Sequence, residues 1–590
     1  MWLFWLLTAL TCRVQAKAVF AHFMVTNSEN YTLADWESDI SLAVTAHIDA
    51  FALNIAVGDT ANSQLANAFT AADSLDFKLF ISFDYAGNGA WSQDEVYDIL
   101  SEYIDLDAYY ITDDQPLVST FEGPANAADW TYLKEYFNCM FIPDWSSLGA
   151  KAALELGTAD GLFSWAAWPW GDTEMNTYTD ASYIQYLDDL PYMMAVSPWF
   201  FTNLPGYNKN WLWRGDHLWY ERWNQVLFLD PPFVEIISWN DYGESHYIGP
   251  LRDYAFAAFS IGEAPYNYAD EMPHDGWRAF LPYMIDLYKE GTATITQEGI
   301  VAWYRVNPKT ACDTGDTSGN TASELQLEFE PYDIVDDEIM YSALLGSTAD
   351  VTVTVGDTEL TGAWTSTPDG GIGIYHGSVS FSGLTGDVTV VLSRDGASLA
   401  TVAGKAITSD CTDDIENWNA WVGSALSSAT VSATPALSVS DQVCVNGTGW
   451  ENFEGICGFA CEYGYCPVSA CTCNLMGAQK TAPNATGVEG YPIAGEDASY
   501  DGLCSYDCNH GYCPPSACST VSAALSTPTV SDFTLPRHRY GSIPAPASLV
   551  HNLQYHLHTK LCRPNSHGPP FSLAFSGRYY GGSSPTPVKK

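Results

Sequence analysis

The chain has 590 residues, 71 of them acidic against 23 basic, and a formal charge of −48. That length buries several cores, so two to four structural units are expected rather than one. The charge excludes nucleic acid and anionic membrane surfaces as partners, because both repel so acidic a surface, whereas a neutral polymer is indifferent to it.

Residues 1–16, MWLFWLLTALTCRVQA, form an apolar run ending in small residues, which reads as a signal peptide. A membrane anchor is the alternative, but the run is shorter than the ~20 residues a span needs. No later stretch reads as membrane-spanning, so the mature chain is expected to be secreted, with no membrane partner. Three Asn-x-Ser/Thr sequons, at Asn30, Asn446 and Asn484, fit that compartment.

From residue 17 to 305, eight apolar runs alternate with stretches whose apolar residues recur at helical spacing. The runs are 18–25, 49–57, 78–85, 108–114, 139–145, 161–168, 191–201 and 233–241. Eight strand–helix alternations predict a (β/α)8 barrel, with a doubly wound open sheet as the alternative. Residues 306–422 change to short alternating runs with Gly and Asp turns, such as DVTVTVGDTEL, and predict an all-β sandwich. Cys312 and Cys411 lie near its two ends and are expected to pair. Residues 423–443, rich in Ser, Thr and Ala, predict a linker.

Ten of the fifteen cysteines crowd between Cys444 and Cys518. They fall in two copies of one unit, 444–473 and 500–518, joined by a linker at 474–499. Each copy has the order Cys-x3-Cys-x4-Cys-x4-Cys: Cys457, Cys461, Cys466 and Cys471 in the first, Cys504, Cys508, Cys513 and Cys518 in the second. Units this small need disulfides, and four cysteines allow three connectivities. Cys444 and Cys473 bracket the first copy and are candidates to pair. The spacing matches no standard zinc pattern. Residues 519–590, with seven Lys or Arg against one Asp, read as a basic, disordered tail.

In an eight-fold barrel, reactive groups leave the C-terminal ends of the strands. The acidic residues there are Asp84, Asp113 and Asp114, Asp144, and the pair Asp241 and Glu244 in SWNDYGES. Glycosidic cleavage needs one protonated and one ionised carboxyl, and Asp241 and Glu244 are the closest such pair. A single strand-end Asp is more often a helix cap, whereas Asp35 and Asp94 begin helical stretches and read as caps or first-turn charges. Nine of the 21 tryptophans fall between Trp165 and Trp239, and flat rings in a cleft stack on sugar faces. Trp168, Trp170, Trp199 and Trp239, with Asn203 and Asn240, are therefore substrate-binding candidates, as are His22 and Asn54 at the first two strand ends and Asp114 and Asp144. Trp219 and Trp223, at helical spacing, read as core. Phosphate loops, zinc-protease motifs and nucleophile elbows are absent from the sequence, so no metal or cofactor is implied.

The segments AVFAHFMVTNSENYTLADWESDI, DAFALNIA, FKLFISFDYAG, FIPDW, GLFSWAAWPW and SWNDYGESHYIGP together resemble glycoside hydrolase family 71, the fungal α-1,3-glucanases or mutanases. The two cysteine-rich units resemble carbohydrate-binding module family 24. The resemblance implies an inverting endo-hydrolase of insoluble α-1,3-glucan, with Asp241 and Glu244 essential. It further implies Glu244 as acid and Asp241 as base in a first assignment, and Asp84 as the third acidic group. A non-catalytic glucan-binding wall protein, or a glycosidase of another α-glucan linkage, are the rival functions.

Overall fold

The protein, seen in a computed structural model, is described over residues 16–58, 61–319, 328–496 and 498–526; the N-terminal run at 1–15 and residues 527–590 lie outside them. Eight parallel strands open the fold: β1 (Ala18–Met24), β2 (Ala50–Ala56), β3 (Lys78–Asp84), β4 (Gln115–Phe121), β5 (Met140–Phe141), β6 (Leu162–Ser164), β7 (Tyr192–Val196) and β8 (Phe233–Ile236). Their order is β5-β4-β3-β2-β1-β8-β7-β6. The sheet curls until Asp144, just after β5, bridges Phe121 on one side and Phe163 on the other. Helices alternate with the strands: α1 (Leu33–Thr45), α2 (Ala61–Ser74), α3 (Gln93–Tyr103), α4 (Asp129–Phe137), α5 (Gly149–Glu155), α6 (Tyr178–Leu187) and α7 (Leu218–Leu229), with α8 (Leu281–Glu290) after β8.

Local sequence explains these elements. β2, AFALNIA, is buried at every residue, as a parallel strand covered on both faces must be. Thr32 and Asp35 form a reciprocal capping box on α1, and Ser92 and Glu95 do the same on α3, so Thr32 is the cap and Asp35 the first-turn acid that completes it. Arg222 on α7 is fully buried, with both terminal nitrogens 2.7 Å from the carboxylate of Asp180 on α6 and Nε donating to the Ala195 carbonyl of β7. It ties two helices to one strand.

The fourth strand differs from the expectation. Residues 111–112 and 115–116 pair antiparallel, and Asp113 and Asp114, both at positive φ, make the tight turn between them. The strand running parallel to β3 is β4, which starts after that turn. Asp114 is thus exposed at the opposite end of the sheet from the site, and Glu122 takes the strand-end place assigned to it.

The sandwich also begins and ends elsewhere than predicted. It comprises β9 (Ile295–Arg305), β10 (Glu338–Leu345), β11 (Asp350–Val355), β12 (Thr358–Thr361), β13 (Ala363–Ser366), β14 (Gly373–Ser380), β15 (Gly386–Arg394), β16 (Ala397–Ile407) and β17 (Ala420–Ala433). The two sheets run β13-β14-β10-β9-β17 and β12-β11-β15-β16. Residues 295–305, expected in the first domain, form an inner strand of the sandwich, paired with β10 and β17. Residues 423–433, expected in a linker, are most of its edge strand. The Ser, Thr and Val that read as flexible have strand propensity, and pairing with β9 satisfies their backbone. Cys312 and Cys411 are joined, and Trp303, Met340, Trp418 and Val422 pack into the same core as the curled sheet.

The first cysteine-rich copy folds as β18 (Val443–Gly449), α9 (Glu454–Glu462) and β19 (Cys471–Gly477), and the second is built on α10 (Asp501–Asn509). The pairing is Cys444–Cys473, Cys457–Cys471 and Cys461–Cys466 in the first copy, Cys504–Cys518 and Cys508–Cys513 in the second. β19 runs past Cys473 into the expected linker. Residues 519–526 hold to the second copy through Ser526 N–H on the Glu496 carbonyl, so the expected tail begins later than 519. Among the described residues no helix is long and apolar enough to cross a membrane.

Candidate active site

Everything chemical gathers at the C-terminal end of the curled sheet, where β8 runs through the cis Ile237–Ser238 peptide into SWNDYGES. Backbone hydrogen bonds shape that turn: Asp241 N–H donates to Ser238 Oγ at 2.9 Å, and Glu244 N–H to Asp241 Oδ1 at 3.0 Å. A hairpin after β7, pairing 201–204 with 209–212, folds back over it and delivers Lys209, whose ammonium lies 2.7 Å from Glu244 Oε1. On the other side His246 Nε2 lies 3.0 Å from Glu244 Oε2, while His246 Nδ1 is 2.9 Å from Ser238 Oγ. An ionised Glu244 needs the hydrogen on Nε2, leaving Nδ1 to accept from the serine.

These contacts split the pair. Burial, and then the charge of Glu244, push the Asp241 carboxyl up. Burial also pushes Glu244 up, but Lys209 and His246 together more than offset it and hold its carboxyl well below the usual carboxylate range. The two carboxyls are thus pushed in opposite directions, Asp241 toward its protonated form and Glu244 toward its ionised form. Oxygens of Asp241 and Glu244 and a nitrogen of His246 lie within 4.8 Å of one another. Lys209 already supplies the cation for this cluster.

Further acids line the same end. Asp84 closes β3 and accepts the N–H groups of Ala86 and Gly87 on Oδ1, each at 2.8 Å; burial raises its pKa despite them. Gly87 lets the loop lie close, since a Cβ there would come 3.1 Å from the Asp84 carboxylate and 3.0 Å from Ala56 and would press on both. Glu122, after β4, accepts the Ser147 N–H at 2.9 Å and is raised by burial, with Asp84 adding to the shift. Glu235, inside β8, meets His22 Nδ1 at 2.7 Å, both side chains buried. Asn54, inside β2 and two residues before its end, is buried with its Oδ1 unpartnered.

Several expected sugar contacts are structural instead. Asp144 is fully buried, with burial and Glu122 holding its proton on, so it offers no surface to a substrate. Asn240 is pinned to the end of β1 by the Met24 N–H and carbonyl. Trp239 is fully buried, its Nε1 donating to Asp39 at 3.2 Å. Trp199 is buried at the junction with the sandwich, donating to the Trp418 carbonyl and stacked under Arg305. Asn203 is buried within the hairpin that carries Lys209, and Trp170 packs on Phe329. Half-buried rings do pack on the histidines that contact Glu244 and Glu235. Trp168 lies 5.6 Å from the His246 ring, and Trp165, which sequence reasoning passed over, lies 5.0 Å from His22.

Two adjacent carboxyls shifted in opposite directions at one end of a curled α/β sheet, with tryptophans on the neighbouring histidines, have the make-up of a glycosidase site. The model of glycosyl hydrolase family 71 matches residues 15–434, and the chain belongs to that family. It is 35% identical over 426 residues to the glucan endo-1,3-alpha-glucosidase agn1 of Schizosaccharomyces pombe, covering 69% of this chain and 94% of that one. A mutanase of Penicillium rubens is 35% identical over 433 residues, covering 70% and 90%. Among solved structures, a GH99 endo-alpha-mannosidase from Bacteroides thetaiotaomicron matches at 13% identity with a TM-score of 0.36, covering 46% of this chain and 98% of that one.

Proposed function

We propose that the protein is a secreted endo-α-1,3-glucanase acting on insoluble glucan, its curled sheet a (β/α)8 barrel and its two cysteine-rich copies glucan-binding modules. Family membership and the names of the 35%-identical relatives support the substrate. The observation that carries the chemistry is the placing of Lys209 and His246 on Glu244 and not on Asp241, which shifts the two carboxyls in opposite directions and favours the order opposite to the first assignment. Asp241 donates its proton to the departing glycosidic oxygen. Glu244, held ionised by Lys209 and His246, takes a proton from the attacking water, and the anomeric centre inverts. The exposed sequons Asn30, Asn446 and Asn484 and the six disulfides suit an oxidising, extracellular setting.

A second reading assigns the base to Asp84. It is favoured by the approach of Asp241 and Glu244 within 4.8 Å, shorter than the roughly 6.5–9.5 Å that leaves room for a water between an inverting pair. A raised pKa makes Asp84 the stronger base, and Glu244 would then serve to keep Asp241 protonated.

One set of assays tests both. Asp241→Asn is expected to lower kcat on α-1,3-glucan by roughly 10³-fold or more. Azide should restore turnover, with inverted glycosyl azide as product, to the alanine variant of whichever residue is the base. Rescue of Glu244→Ala supports the first reading and rescue of Asp84→Ala the second. Early accumulation of the α-anomer by NMR contradicts inversion in either case.

A further inference from the structure

Aligning the two cysteine-rich copies on their Gly-Tyr-Cys tripeptides matches Phe453 with Tyr500, Phe459 with Tyr506, Tyr465 with Tyr512 and Gly455 with Gly502. The copies touch through those same residues, and the contacts cross over. Phe459 of the first stacks on Tyr512 of the second with ring centres 5.1 Å apart, and Tyr506 of the second stacks on Tyr465 of the first at 4.9 Å. On the axis between these pairs the equivalent rings of Phe453 and Tyr500 lie face to face, tilted by 12°. The glycines repeat the crossing: a Cβ on Gly455 would lie 2.6 Å from the Tyr512 hydroxyl, and one on Gly502 2.3 Å from the Tyr465 hydroxyl. Residue i meeting j while the equivalent of j meets the equivalent of i is the mark of a twofold, isologous interface; repeats laid head to tail would not reciprocate.

The first copy is also seated on the body of the protein. Thr177 N–H donates to Thr472 Oγ1 at 3.3 Å, the Tyr178 hydroxyl to the Ala470 carbonyl at 3.2 Å, and Ala478 N–H to Asp369 of the sandwich at 2.7 Å. Phe228 of α7 packs against the cluster formed by both copies.

The geometry points to the two copies working as one rigid, pseudo-twofold head that grips two stretches of a neutral polysaccharide at once. They are not independent beads on a tether. The aromatic seam is committed to the sister copy, so sugar meets the surfaces of each copy that lie outside the seam and outside the first copy's seat on the body, at a separation the seam fixes. This rests on reading the copies as glucan-binding modules. Fixed spacing raises the effective concentration of the second site once the first is filled, without a flexible linker.

The test uses full-length chains carrying Tyr465→Ala with Tyr512→Ala, or Gly455→Arg with Gly502→Arg, each checked for intact disulfides by thiol titration. Should one pair expose thiols, the other decides. Both are expected to speed proteolytic cutting within 478–490 and to weaken adsorption to insoluble α-1,3-glucan by roughly ten-fold or more, because two sites that stay linked but lose their fixed spacing lose effective concentration. Hydrolysis of a soluble α-1,3-oligosaccharide should stay at the wild-type rate. Unchanged adsorption in a chain whose seam has opened overturns the head, and so does a seam that stays protected in both variants. Failure of the wild-type chain to cut the soluble oligosaccharide strikes instead at the glucanase reading.

Discussion

With Lys209 and His246 on either side of it, Glu244 stays ionised into the acid range, and its charge helps hold the proton on Asp241. The active form needs both conditions, so the pH–rate profile rises as Glu244 loses its proton and falls as Asp241 loses its own. Lys209 lowers both carboxyls. Lys209→Met therefore moves both limbs of kcat/KM to higher pH, by an amount on the order of one unit, because solvent screens a half-exposed ammonium. Lys209→Arg should keep the wild-type profile, and a profile unmoved by the methionine would remove Lys209 from the site. Asp84, Asp241 and Glu244 were legible because an acid following an apolar run marks a strand end. Glu122 was hidden by a hairpin that mimicked the end of the fourth strand. Lys209 had no local signal, since it reaches Glu244 only when its hairpin folds back. Trp199, Trp239 and Asn240 were misread because position at a strand end does not say which way a side chain points.

Elements show the same mixture. The eight alternations were readable from periodicity, but the edge strand β17 was not, because a Ser, Thr and Ala composition serves an edge strand and a linker equally until a pairing partner is known. Arg222 and Asp180 bind α6 and α7 to β7 out of contact with water, so Arg222→Leu strands a buried carboxylate and should cost about 3–5 kcal/mol in denaturant titration. On α10, Asp507 is buried with neither carboxylate oxygen partnered, where the first copy has Ala460. Burial pushes its carboxyl up to about 8. The folded copy then holds a proton that the unfolded chain releases near pH 4, so stability of the copy falls as pH rises between about 4 and 8 and levels off above. The slope has a ceiling of about 1.4 kcal/mol per pH unit. Asp507→Ala should stabilise the second copy and flatten that slope; hydrogen exchange over residues 500–518 at pH 5 and pH 8 measures it, and an equal slope in the variant would show the carboxyl to be solvated.

At the scale of the whole molecule, the curled sheet and the sandwich are fused rather than hinged. Trp303 on β9 packs into the core of the curled sheet while its neighbour Tyr304 packs into the core of the sandwich. The junction carries two acid-sensitive devices. Asp216, fully buried, has its carboxyl pulled below the ordinary value by Arg305 and Arg214, which outweigh its burial. Its contribution is present above the unfolded pKa of 3.8 and is lost only as pH falls through lower values. His376 on β14 sits between Ser342 Oγ and His217 Nδ1, each 2.9 Å away, with its ring stacked on Tyr220 and Trp303. Burial, and then His217, push it far below the usual histidine range, so the folded state refuses a proton that the unfolded chain accepts below about pH 6.5. Stability at the junction should thus decline in two windows as acid is added, the first beginning near pH 6.5 from His376 and the second below about pH 4 from Asp216. His376→Gln keeps a group that can bond Ser342 and removes the titration. It is expected to flatten the melting temperature between pH 6.5 and 4.5 while leaving the fall below pH 4 in place, and a variant that melts with the wild-type slope in the upper window would assign that loss to groups away from the junction.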